Sequence, residues 1–317
     1  MLTAPAKAPT ALRVSALSQE ARAVVSPLPS PTARVREAAG AVPPTGLILM
    51  SILSVQVGAA LAKGLFATLG PGGTVFLRIG FAALIMLAVG RPRIRGHARA
   101  DYLAMALFGL TIAGMNLSFY SAIARIPLGI AVTLEFVGPL CVAVAGSRRR
   151  LDLLWAACAA AGILLLAPWG NTAIDPIGVV LALTAGGGWA AYILLNVRVG
   201  RAFAGQSGLA LAMGIACLVT LPLGIGTGGP LLGDPRLLAA GLGVSMLSTV
   251  IPFSLEHAAL KRLPAQVFGV LMSLEPGVAA LVGAIILHQA LGLRALLALA
   301  GVTLASVGSA RSSAGDS

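Results

Sequence analysis

The chain has 317 residues, 58% of them hydrophobic and only 10% charged, with a mean hydropathy of +0.95. Soluble domains carry about 25% charged residues, so this composition excludes an ordinary water-soluble enzyme and places most of the chain in lipid. The net charge of +12 does not point to nucleic acid, because the basic residues cluster in short segments between long apolar runs.

Residues 1–44 are rich in Ala, Pro and Ser, carry five basic residues (Lys7, Arg13, Arg22, Arg34, Arg36), and have no apolar core of the kind a cleaved signal peptide needs. They read as a disordered basic cytoplasmic tail, or as a segment ahead of a working start near Val42. From Thr45 onward, ten apolar stretches are each long enough to cross about 30 Å of hydrocarbon at about 1.5 Å per residue. They span 45–66, 73–90, 102–123, 127–146, 151–168, 176–196, 207–226, 237–257, 264–287 and 290–309. Seventeen of the 22 Lys and Arg residues fall on one side if the N-terminus is cytoplasmic. The opposite side has only Arg125, Arg236 and Arg294, while Lys63 and Arg78 lie inside spans. By the positive-inside rule both termini are cytoplasmic.

The fourth span contains PLGIAVTLEFVGP, bounded by Pro127 and Pro139, with Glu135 inside it. The ninth repeats the frame as LPAQVFGVLMSLEP, where Pro264 and Pro276 are again twelve positions apart and Glu275 lies between them. The offset between copies is 137 residues, and it also pairs Arg125 with Arg262. Five spans per copy is an odd number, so the second copy enters the membrane upside down relative to the first. The expected fold is an all-α membrane protein with ten transmembrane helices arranged as two inverted five-helix repeats. Residues 45–168 form the first repeat, 175–309 the second, and 310–317 a cytoplasmic C-terminal tail.

Seven stretches carry a family resemblance: VQVGAALAKGLF (55–66), GMNLSFYSAI (114–123), PLGIAVTLEFVGPL (127–140), SRRRLD (147–152), GWAAYIL (188–194), LSTVIPFSLE (247–256) and LKRLPAQVFGVLMSLEPGVAAL (260–281). They resemble the EamA-type drug/metabolite transporter superfamily, and more closely its threonine/homoserine exporter branch. The resemblance implies ten helices, a cytoplasmic (inner) membrane location, and proton-coupled export of small neutral amino acids. Where family members commonly carry Gly-Glu near the start of the last helix, this chain has His288-Gln289. Gln289 reads as a helix-start residue of that last helix.

Placing a charge at mid-membrane costs about 2.5–3.5 kcal/mol on insertion scales, so such residues are rare and usually functional. Glu135 and Glu275 are the leading candidates for holding a proton or a substrate ammonium. Pro139 and Pro276 have no amide hydrogen to bond the carbonyls of Glu135 and Met272, which adds an acceptor beside each acid. Lys63 and Arg78 either snorkel to the headgroups or meet a substrate carboxylate, which Arg can hold with two parallel bonds. Gln56, two turns before Lys63, extends that polar face. Asn116 and Tyr120 are one turn apart, as are Trp189 and Tyr192; these are further cavity candidates, set against ordinary helix packing. Glu256, close to Lys261 and Arg262, reads as half of an interfacial ion pair.

No cofactor or metal motif appears. His97, His257 and His288 are scattered, and Cys141, Cys158 and Cys217 read as small apolar-run residues. The expected partners are a small amino acid, protons and the bilayer, with a monomer or a homodimer both compatible. Two other functions stay open: export of a drug or cationic metabolite, and chemistry by an intramembrane enzyme.

Overall fold

Proline and aspartate set where the helices begin, and proline sets where three of them break. The computed structural model describes residues 42–90, 92, 96–145, 154–155, 157–158, 161–162, 174–203, 207–260, 262–263 and 265–312. Among these residues every element is helical and none is a strand. Most of the tail at 1–44, most of the fifth predicted span at 151–168, and residues 313–317 lie outside them.

Helix α1 (Pro44–Gly64) opens on a proline, whose missing N–H would have had no partner in a first turn. In α2 (Phe66–Gly90) the first turn is set off by Gly70 at φ 66°, ψ 170°, a conformation suited to glycine, just before Pro71. α3 (Arg99–Ile123) has no capping side chain at Ala98; Asp101 reaches back to accept from Ala98 N at 3.1 Å. The fourth predicted span is two helices, α4 (Leu128–Glu135) and α5 (Val137–Ala145). An Asp-Pro pair starts both α6 (Pro176–Ala202) and, beyond α7 (Ser207–Gly228), α8 (Pro235–Ser245). Asp175 accepts from Ile177 N at 2.9 Å, and Asp234 from Arg236 N at 2.8 Å. A π-helical turn, Met246–Val250, joins α8 to α9 (Ile251–Leu260). The ninth span is again two helices, α10 (Ala265–Met272) and α11 (Glu275–Ile286), and α12 (Leu293–Ser312) ends the described chain.

Each break falls where a proline fails to bond the carbonyl four residues earlier. Pro139 leaves the Glu135 carbonyl free, and α4 ends at Glu135. Pro276 does the same for Met272, where α10 ends. Pro252 does the same for Ser248, inside the π turn, where Ile251 N bonds back to Met246 O. α4 and α10 are both eight residues long. Their first residues, 128 and 265, are 137 apart, and so are their last, 135 and 272.

Six helical stretches are long and apolar enough to cross a membrane: Pro44–Gly64, Phe66–Gly90, Arg99–Ile123, Pro176–Ala202, Ser207–Gly233 and Pro235–Glu256. Shorter apolar helices are Leu128–Val142, Glu275–Ile286 and Leu293–Ala305. Leu84, Leu218 and Leu293 are about two-thirds exposed or more, which suits side chains facing lipid in a multi-pass membrane protein.

Helix α3 lies along α6, and α2 along α7; α1 lies along the π turn and α9 and also meets α11. α4 packs on α6 and against α11. Small residues make the crossings close, since helix contact in lipid is held by packing rather than by water exclusion. A Cβ on Gly129 would stand 2.7 Å from Ala280 Cα, and one on Gly186 would stand 2.8 Å from the Glu135 carbonyl oxygen. Gly186→Ala is therefore expected to cost about 1–3 kcal/mol, as overpacked interiors do. Thermal unfolding in detergent checks this; an unchanged midpoint would mean that the α4–α6 contact yields freely. Beside this contact, Arg125 Nη1 donates to Asp175 Oδ2 at 3.0 Å. That bond, strengthened by the attraction of the two charges, holds the Asp175 carboxyl below its ordinary range. The pair persists at neutral pH and is lost only as the pH falls through that lowered value.

Candidate functional site

A cavity of about 220 Å³ lies among the helices at the level of the three breaks. Three carboxylates face it: Glu135 at the end of α4, Glu256 on α9, and Glu275 at the start of α11. Arg78 of α2 is the one cationic side chain among the described residues lining it. Glu135 and Glu275 are both more than nine-tenths buried.

Arg78 is held in place by four acceptors. Its Nη1 donates to Asn116 Oδ1 at 2.7 Å and to Tyr120 Oη at 3.2 Å. Its Nε donates to Thr249 Oγ1 at 3.3 Å, and its Nη2 to the Ser248 carbonyl at 3.2 Å. Its guanidinium carbon also lies 5.3 Å from the centre of the Tyr120 ring, within cation–π range. The Ser248 carbonyl is available because Pro252 offers it no N–H. Gly58 of α1 lets the π turn approach, since a Cβ there would collide with Ser248 Oγ. Asn116 is itself anchored, donating from Nδ2 to the Ile112 carbonyl at 2.8 Å.

The acids are held differently from one another. Gln56 Nε2 donates to Glu275 Oε1 at 3.0 Å, and Ser51 Oγ donates to Glu256 Oε1 at 2.7 Å. Glu135 faces the cavity with no hydrogen bond from another described side chain, and its electrostatic partner is Arg78. The two are not in contact, because the ion pair within 4 Å among the described residues is Arg125–Asp175. Trp189 packs edge-on to Phe136 at 5.0 Å, and Tyr192 lies tilted against Phe108 at 5.1 Å, so both aromatics wall the cavity and pack at once.

Eight of the nine candidates from the sequence line this one cavity: Glu135, Glu275, Arg78, Gln56, Asn116, Tyr120, Trp189 and Tyr192. Lys63, in the last turn of α1, does not. Glu256 differs from its expected interfacial role: it turns toward the cavity and is bonded to Ser51. Ser248 and Thr249 escaped sequence reasoning, although the rule that found Glu135 and Met272, four residues before a proline, also selects Ser248 from Pro252. Among the described residues, no three His, Cys, Asp or Glu side chains converge as a metal would require.

Gln289 corrects another expectation. It does not start the last helix, which begins later at Leu293. Its Oε1 instead accepts from Leu128 N at 3.0 Å, capping the helix that carries Glu135. Gln289→Leu should lower stability by about 0.5–2 kcal/mol, the range for a lost cap, whereas Gln289→Glu keeps an acceptor at the same place. Melting midpoints of the two variants check this; equal losses would show that the cap contributes nothing.

A multi-pass helical bundle closed around a charged cavity at membrane depth has the layout of a membrane transporter. The chain belongs to the EamA-like transporter family, whose pattern matches residues 176–311, and it is a transporter rather than an enzyme. Over 268 residues it is 42% identical to the threonine/homoserine exporters RhtA of Salmonella typhimurium (strain LT2) and Escherichia coli (strain K12). These alignments cover 84% of this chain and 90% of each relative. A protein of known crystal structure aligns over 83% of this chain and 95% of its own, with a TM-score of 0.56 at 16% identity, which shows a shared fold.

Proposed function

We propose that this chain is a secondary exporter of small neutral amino acids of the threonine/homoserine kind. It works by proton antiport across the cytoplasmic membrane, with both termini inside. The observation that carries this is the gap between Arg78 and Glu135. Two opposite charges face one small cavity without touching, which suits a zwitterion bridging them, carboxylate to Arg78 and ammonium to Glu135. A guanidinium has five N–H donors, and Arg78 commits four to protein acceptors. The fifth, on Nη2, is left for the substrate, so the carboxylate docks through a single bond rather than a fork. The relatives named as threonine/homoserine exporters support the choice of amino acid.

The ten-helix plan in two inverted halves, 45–168 and 175–309, gives such a carrier two equivalent end states. The matched ends of α4 and α10 support it. So does the packing, in which α1 along α9 mirrors α3 along α6, and α11 on α1 mirrors α5 on α6. In the cycle, an acid of the cavity holds either a proton or the substrate ammonium. Protons arriving from outside displace substrate outward and then leave to the cytoplasm as the empty carrier resets. Efflux from cells preloaded with labelled threonine tests the proposal, with and without expression, before and after collapse of the proton gradient. Faster, gradient-dependent efflux is expected. Unchanged efflux with the protein present in the membrane would contradict it.

A further inference from the structure

Three buried polar atoms on residues lining the cavity have no partner: Ser248 Oγ, and two that belong to one pair. Gln56 Nε2 donates to Glu275 Oε1, while Gln56 Oε1 and Glu275 Oε2 make no hydrogen bond. An ionised carboxylate accepts at both oxygens and donates at neither, so it can match the amide only on its N–H side. Exchanging the amide oxygen and nitrogen does not help, because it moves the mismatch to the other edge of the amide. A carboxylic acid matches both edges at once, and one proton removes both orphans.

We infer that Glu275 carries a proton on Oε2 and donates it to Gln56 Oε1, so that α1 and α11 are joined by a two-bond acid–amide pair. The surrounding charges favour this. Glu135 from α4 and Glu256 from α9 face the same cavity, and Arg78 of α2 answers only one of the three acids. The other ionisable side chains described on the elements packed against α11 do not line the cavity. Lys63 is in the last turn of α1, and Arg294 is in the exposed first turn of α12. The inference rests on the antiport proposal for its role, and it replaces competition at a single acid with a division of labour between two acids of the same cavity. Glu275 is the proton holder, Glu135 is left for the ammonium, and Gln56 is the positioning residue through which α1 senses the proton. When the proton leaves, one of the two bonds goes with it and two acceptor oxygens stand opposed, which loosens α1 from α11.

Infrared difference spectra of the purified full-length protein in lipid nanodiscs, in H2O and D2O, test this. The wild type is expected to show a deuterium-sensitive carboxylic-acid C=O band at neutral pH. Glu275→Gln should remove it, and Gln56→Leu should move it to higher frequency, since the acid keeps its proton but loses its acceptor. Because Glu275→Gln retains an amide–amide pair, its melting midpoint should stay near that of the wild type. A Glu275→Gln spectrum that loses a carboxylate band instead would overturn the inference, as would a band indifferent to Gln56→Leu. Cell efflux separates the two layers. A Glu275 band without gradient-driven efflux keeps the proton assignment and removes antiport, while gradient-driven efflux with an ionised Glu275 does the reverse.

Discussion

Arg78→Ala should cut threonine export by roughly 30-fold or more at equal membrane abundance, because losing one partner of a buried charge pair costs about 2–5 kcal/mol. The change does more than remove the carboxylate's partner. It leaves the Ser248 carbonyl and Asn116 Oδ1 without the donor they face, and it leaves three acids in the cavity with no cation. Arg78→Lys is the more discriminating variant, since it keeps the charge and most of the volume. An ammonium is a point charge and cannot hold four acceptors in the plane of a guanidinium, so lysine should restore little of the lost export. Initial rates of labelled threonine efflux check both, and wild-type rates in the lysine variant would remove the positioning network from the mechanism.

Glu135→Gln should produce a loss of similar size, roughly 30-fold, by removing the charge that meets the substrate ammonium. The substitution is nearly isosteric, and Glu135 has no described side-chain hydrogen bond to lose, so a folding defect is not expected. The α4–α6 contact involves the backbone of Glu135 rather than its carboxyl, so it survives the change. Retention of gradient-driven threonine efflux in this variant would show that Glu135 contacts neither the substrate nor the proton.

The six long helices were legible because lipid demands long apolar helices with every backbone group bonded internally; the predicted 45–66 and the observed Pro44–Gly64 differ by two residues at most. The freed carbonyls of Glu135 and Met272 were legible for a different reason, the fixed reach of a helical hydrogen bond past a proline, although each span was read as one helix and is two. Most of the site followed from the rule that polar groups inside a membrane are rare. That rule does not say which way a residue near a span's end turns. Glu256 could pair with Lys261 or turn inward, and the choice depends on Ser51, distant in sequence. Gln289 misled for the same reason: its partner Leu128 lies 161 positions away. Thr249 carried no warning by itself, since a hydroxyl in an apolar span usually bonds back within its own helix.

The most direct measurement uses purified protein in liposomes with labelled threonine outside and an acid interior, so that protons leaving can drive threonine in. Accumulation above the equilibrium level, abolished by a protonophore and by Glu135→Gln, is the expected result. Threonine entry that never exceeds equilibrium, or accumulation indifferent to the pH gradient, would contradict proton antiport through this cavity.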